Sequence, residues 1–131
     1  MHDSLDDILI RRWDQFSLDV KSLMRSDSRA LGEADPPEEP GAYILLDEYM
    51  TIVYVGIAGN LRDRLVSKHV SGDESHALQR AYADRFQDRS QRREFIKQNV
   101  WTKWLPVTDP VRLADLERLL IWLLQPPLNR R

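Results

Sequence analysis

Pro36, Pro37 and Pro40 fall within five residues of an acidic stretch, Asp35-Pro36-Pro37-Glu38-Glu39-Pro40-Gly41, and regular structure is not expected to run through it. Proline lacks the amide donor that helices and sheets need, and it holds the residue before it in extended backbone. The chain therefore reads as two parts. Residues 1–34 form an amphipathic helix and its linker, and residues 35–131 form the main domain. At 131 residues there is chain for one modest core and a short appendage.

Before the prolines, Leu5, Ile8, Leu9, Trp13, Phe16, Val20, Leu23 and Met24 recur at three- and four-residue spacing, which predicts a helix capped by Asp3 or Ser4. Such a helix either covers one side of the core or presents a docking surface to a protein partner. After the prolines, residues 42–46 and 51–55 read as the strands of a hairpin. Gly59-Asn60 opens a helix reaching His69 or Val70, and a long polar helix is expected from about residue 75 to Gln98. Residues 100–105 read as a third strand. Thr108 or Asp109, with Pro110 at the first helical position, starts a last helix through Leu124, which Pro126 and Pro127 end. The fold class expected is α+β, a small three-stranded, mainly antiparallel sheet flanked by helices, with an extra N-terminal helix.

Charge is unevenly placed. Residues 1–48 hold five Lys/Arg against twelve Asp/Glu, whereas residues 60–104 hold ten against six. A net charge of −2 therefore hides a basic central region, and local field decides what such a surface attracts. With no cysteine, disulfides and thiolate metal sites are excluded. No run of about 18 apolar residues suggests a membrane span, and the acidic start does not resemble a secretory signal. A cytoplasmic location is the expectation.

Glu117 is the residue that most requires explanation. Stepped at 100° per residue, it lies beside Leu113, Leu120, Ile121 and Leu124 on the apolar side of the last helix, while Asp115 and Arg118 point to solvent. A carboxylate among leucines costs several kcal/mol unless it is paired, neutralised or bound to a cation. It is either a rim residue bridged to an arginine or a metal ligand facing a cleft.

Around it stands an ordered set: Gly41-Ala42-Tyr43, Tyr54-Val55-Gly56, Arg64 eight residues beyond Gly56, Glu117, and Asn129 twelve residues later behind Pro126-Pro127. This set resembles the GIY-YIG nuclease superfamily, and its closing asparagine resembles the repair-type excision nucleases of that group. The likeness spans roughly residues 40–131. It implies a magnesium- or manganese-dependent endonuclease acting on DNA, with Glu117 holding the metal, Arg64 on the phosphate, Tyr54 activating or orienting the attacking water, and Tyr43 in support. Arg62, Lys68 and Asn129 are expected on the substrate side. Members place His or Tyr four residues after the arginine. Here that position is Lys68, and His69 follows one step round the helix, so either residue is a candidate. The arginines of residues 80–97 are read either as a phosphate track or as a solvated helix face. Two rival readings remain: a non-catalytic nucleic-acid-binding module with this fold, and a subunit of a repair or defence assembly.

Overall fold

The computed structural model describes residues 3–68 and 77–129. Helix α1, Leu5–Arg25, starts at Ser4, whose hydroxyl accepts from the Asp7 amide at 3.2 Å. Only its C-terminal half joins the core. Leu23 is fully buried, with Phe16, Val20 and Met24 packed beside it. Every residue from 3 to 15 is exposed, so no face of that half rests on the domain. Leu5 is 70% and Trp13 63% exposed. The helix covers one side of the core, as one reading expected, for half its length. Its C-terminal carbonyls are capped at one point by Lys103, whose Nζ donates to the Met24 carbonyl at 2.5 Å.

Four antiparallel strands form the sheet: β1, Arg29–Ala30; β2, Gly41–Leu46; β3, Ile52–Ala58; and β4, Trp101–Pro106. Their spatial order is β1-β4-β2-β3, which leaves β3 on an edge. The three longer strands match the expected ones, and β1 is an addition. The β2–β3 turn is organised by Asp47, whose carboxylate accepts from the Tyr49 and Thr51 amides, with Met50 left-handed at φ 64°.

Side chains alternate along the strands, so each face of the sheet builds its own core. Tyr43, Leu45 and Ala58 point to one face, where they meet Leu61, Leu65, Leu78, Tyr82 and Ile96. Ala42, Ile44, Leu46 and Val55 point to the other and meet Leu23 of α1 and the leucines of the last helix, Leu113, Leu116 and Leu120. That helix, Pro110–Leu124, has the boundaries read from the sequence. Asp109 caps it by accepting from the Val111 and Arg112 amides. Buried Asp19 of α1 ties it down. The Arg112 guanidinium donates to both Asp19 carboxylate oxygens at 2.9 and 2.5 Å, and Gln15 adds a third bond at 3.1 Å.

Two helical expectations need correction. The segment after Asn60 is not a regular α-helix: Asp63–Lys68 is wound as a π-helix, with i→i+5 hydrogen bonding. The long polar helix is two helices, α2 over Ala77–Ala83 and α3 over Arg89–Asn99, so the last helix, Pro110–Leu124, is α4. Asp88 makes the break, because its side chain accepts from the Ser90 and Gln91 amides and so starts a new helix. No helix among the described residues is long and apolar enough to cross a membrane.

After α4 the chain turns at Gln125, left-handed at φ 48°, into a 3-10 turn, Pro127–Asn129. That turn packs on β3 and on α2, and so passes from the α4 side of the sheet to the tyrosine side along the exposed edge.

Candidate active site

Tyr43 and Tyr54 lie on the same face of the β2–β3 pair, as the alternation of paired strands predicted. Tyr54 pairs across the ladder with Leu45, and Tyr43 pairs with Gly56. The rings stand 6.1 Å apart between centroids, tilted by 36°, and the two hydroxyls share a hydrogen bond. The glycines that bracket the tyrosines are steric requirements. A Cβ at Gly56 would fall 2.5 Å from both Cζ and Oη of Tyr43, so the ring lies across its own cross-strand partner. A Cβ at Gly41 would run into the Leu105 carbonyl oxygen, so β2 and β4 close only over a bare Cα.

Arg64 and Glu117 both act electrostatically on this pair. Burial holds the Tyr43 phenol far above its ordinary value, charge on Tyr54 adds to that, and the Arg64 guanidinium works against it. Tyr54 is also shifted up. Desolvation raises it, Arg64 lowers it, Glu117 raises it, and the hydrogen bond with Tyr43 and the charge of Arg80 both lower it. Two phenols thus share one environment between a cation and a carboxylate. Tyr54 is the more exposed of them.

Glu117 is half-buried on the flank of α4, which packs against the edge strand β3. Its carboxyl is pushed up by desolvation, with only Arg118 opposing. Among the described residues it makes no hydrogen bond and no ion pair, so the salt-bridged rim alternative finds no partner there. Arg64, half-buried on the π-helical turn, likewise makes no ion pair among the described residues.

Asn129 sits on β3 rather than open to the cleft. Both Val55 backbone groups point outward from the sheet edge, because the two groups of one residue face the same side of an antiparallel ladder. The Val55 amide donates to Asn129 Oδ1 at 2.8 Å, and Asn129 Nδ2 donates to the Val55 carbonyl at 2.8 Å. An asparagine amide has one donor and one acceptor group side by side, as a neighbouring strand would offer them. The brace falls between Tyr54 and Gly56. Arg62 is exposed, with its amide bonded to the Pro37 carbonyl at 3.3 Å. Lys68 ends the π-helical turn. Its side chain, His69 and His76 lie outside the described residues.

Sequence reasoning grouped Arg80 with its neighbours along the chain and did not anticipate that its charge lowers the Tyr54 phenol. The donor set fits a hard divalent cation with limits. Among the described residues no group of three or more His, Cys, Asp or Glu converges, so Glu117 would bind as a lone protein carboxylate. Magnesium accepts this, since it keeps several waters and takes one or two carboxylates.

The chain matches the family model of the GIY-YIG catalytic domain over residues 39–130. Among solved structures it is similar to the GIY-YIG N-terminal endonuclease domain of UvrC from Thermotoga maritima. A point-mutant form of that domain, bound to its catalytic divalent cation, is 23% identical, covering 77% of this chain and 91% of that one with a TM-score of 0.51. The same domain bound to magnesium is 24% identical, covering 72% and 86% with a TM-score of 0.44. No curated protein matches the chain by sequence. With one family model spanning most of its length, the chain belongs to the GIY-YIG family.

Proposed function

We propose that this protein hydrolyses phosphodiester bonds of DNA by water attack, with a divalent cation, magnesium or manganese, held at Glu117. The observation that carries the reading is Glu117 itself, a half-buried carboxylate without a partner among the described residues, beside two hydrogen-bonded phenols and the Arg64 guanidinium. A carboxylate in that state favours a cation strongly, because binding offsets the desolvation cost.

Each residue then has a task. The cation, once bound, neutralises charge on a phosphate oxygen and on the leaving oxygen. Arg64, always charged and forked, holds the other phosphate oxygens as charge builds. Tyr54 orients the attacking water, and Tyr43 fixes the Tyr54 hydroxyl through their hydrogen bond. Both phenols keep their protons at neutral pH in the free protein, so positioning the water is the role their environment favours. Asn129 acts by fixing β3 under Tyr54. Arg62, and Lys68 or His69, would contact the substrate strand.

The test is cleavage of supercoiled, branched and single-stranded DNA with magnesium or manganese. Cleavage that falls by about 10²-fold or more in Arg64→Ala, and to background in Glu117→Ala, supports the reading. A thermal melt of each variant in chelator separates folding from chemistry. Substrates that all stay intact with wild-type protein sink it in favour of a DNA-binding module, and cleavage that survives Glu117→Ala overturns the role given to Glu117.

A further inference from the structure

Arg64 rides on a turn whose start is held from outside. The amides just after a helix cap have no partner within the helix itself. Here they belong to Leu61, Arg62 and Asp63. Leu61 donates to the Glu39 carbonyl at 2.8 Å, and Arg62 to the Pro37 carbonyl at 3.3 Å. Asp63 donates to Asn60 Oδ1 at 3.0 Å, while the Asn60 carbonyl takes the Arg64 amide at 3.1 Å. The proline-acidic segment and one asparagine side chain thus satisfy every amide at the foot of the arginine.

That segment is itself fixed. The Pro40 carbonyl accepts from the Val107 amide at 2.9 Å, and Pro36 is buried. Pro37 and Pro40 confine the residues before them, Pro36 and Glu39, to extended backbone, so carbonyls are presented in a set direction without a helix or a sheet. Just upstream, the 3-10 turn Leu31–Glu33 packs against Asp63–Lys68. Leu31 shares a core cluster with Leu61 and Leu65, all three buried. The family model begins at residue 39, so Leu31, Pro36 and Pro37 lie ahead of it. What the sequence presents as a linker is in space a strap across the base of the Arg64 turn.

We infer that Asn60 is a positioning residue for Arg64, and that the strap ending at Glu39 acts with it. Together they set the direction in which the guanidinium leaves the turn. The inference rests on the nuclease reading and deepens it, because both parts work through Arg64 and touch no substrate. A reacting group misplaced by about an ångström loses about 10²-fold in rate, so the foot of this turn bears on kcat rather than on binding.

Three variants test it. Asn60→Ala removes the acceptor for the Asp63 amide, and Asn60→Asp keeps it. Pro37→Gly frees the strap at an exposed ring and removes no buried side chain. Hydrogen exchange read by mass spectrometry should show the amides of residues 61–64 opening about five- to tenfold more often in Asn60→Ala and in Pro37→Gly. Magnesium-dependent cleavage should lose about tenfold or more in kcat while KM stays within about twofold, and Asn60→Asp should return most of the rate. In an Arg64→Ala background, adding Asn60→Ala should cost less than about twofold further, since no guanidinium is left to position. If Asn60→Ala does not fold, Pro37→Gly carries the same measurements. Unchanged exchange, unchanged kcat, or an undiminished loss in the Arg64→Ala background each overturns the inference, while wild-type cleavage leaves the nuclease reading standing. A wild-type protein that cleaves nothing ends both.

Discussion

Replacing Gly56 with alanine tests the geometry of the site without touching a polar group. The added Cβ would lie 2.5 Å from Cζ and Oη of Tyr43 and 2.9 Å from its Cε1, where ordinary contacts are 3.4–4 Å. The ring must therefore move by about an ångström. Tyr43 is 1% exposed and belongs to a cluster with Leu45, Leu61, Leu65 and Tyr82, so no open space receives it. Overpacking of this sort costs about 1–3 kcal/mol. A displacement of that size at a positioned hydroxyl costs roughly 10²-fold in rate. Urea unfolding followed by tryptophan fluorescence measures the first quantity, and magnesium-dependent cleavage measures the second. Leucine at position 43 lacks the three clashing atoms, so the penalty for Gly56→Ala should shrink in the Tyr43→Leu background. A coupling of about 1 kcal/mol or more between the two changes is expected. Gly59 is the control. A Cβ there meets nothing within 4 Å, and Gly59→Ala should be neutral or stabilising by about 0.4–1 kcal/mol. If Gly56→Ala unfolds within about 0.5 kcal/mol of wild type and the two substitutions add independently, the steric account of the motif glycine is wrong.

Other parts of the molecule give three further tests. Asp19→Ala strips Arg112 of a two-pronged partner and should cost about 1–3 kcal/mol in urea unfolding. The figure falls below that of a fully buried pair because 39% of the Arg112 side chain reaches solvent, and a loss under about 0.5 kcal/mol would contradict the anchoring role. Tyr43 keeps its proton in the fold at pH values where an unfolded phenol, with a pKa of about 10, has lost it. The unfolded chain then binds fewer protons, so stability present below about pH 10 declines above it by about 1.4 kcal/mol per unit for each such phenol. Tyr43→Phe should make that decline between about pH 10 and 11.5 shallower by up to this amount, and an identical slope would refute the assignment. Asn129→Asp keeps an acceptor for the Val55 amide but loses the donor for the Val55 carbonyl, which should cost about 1–3 kcal/mol in urea unfolding. Its cleavage rate should fall as well, whereas Arg25→Ala, an exposed change at the end of α1, should leave cleavage unaltered; equal activity in Asn129→Asp and wild type would remove the brace from the mechanism.

The elements legible in the sequence are those whose signals are local. Pro110 after a capping aspartate starts α4 where expected, and the β-rich runs around Tyr43 and Tyr54 mark the hairpin. Strand β1 could not be read that way. Two residues have no periodicity, and Arg29–Ala30 is a strand only because Thr102 and Trp101 lie opposite. The break between α2 and α3 contains neither glycine nor proline. It is set by a hydrogen-bond choice at Asp88 and by Arg85 docking on Glu48, a residue 37 positions away.

The site shows the same division at longer range. Periodicity gives the angle of Glu117 about its helix axis, but not which edge of the sheet that helix lies along. Helix α4 packs its leucines on the sheet face opposite the tyrosines, and on a central strand its carboxylate would be screened from them by the sheet itself. Because β3 is the outermost strand, the flank of α4 and the face bearing Tyr54 meet at one open edge. That edge would ordinarily invite another strand. Asn129 satisfies the exposed Val55 groups with a single side chain instead, and a side chain covers two backbone groups where a strand would cover the whole row. On the proposed nuclease reading, that open edge is where Glu117, Arg64 and Tyr54 would address a common ligand.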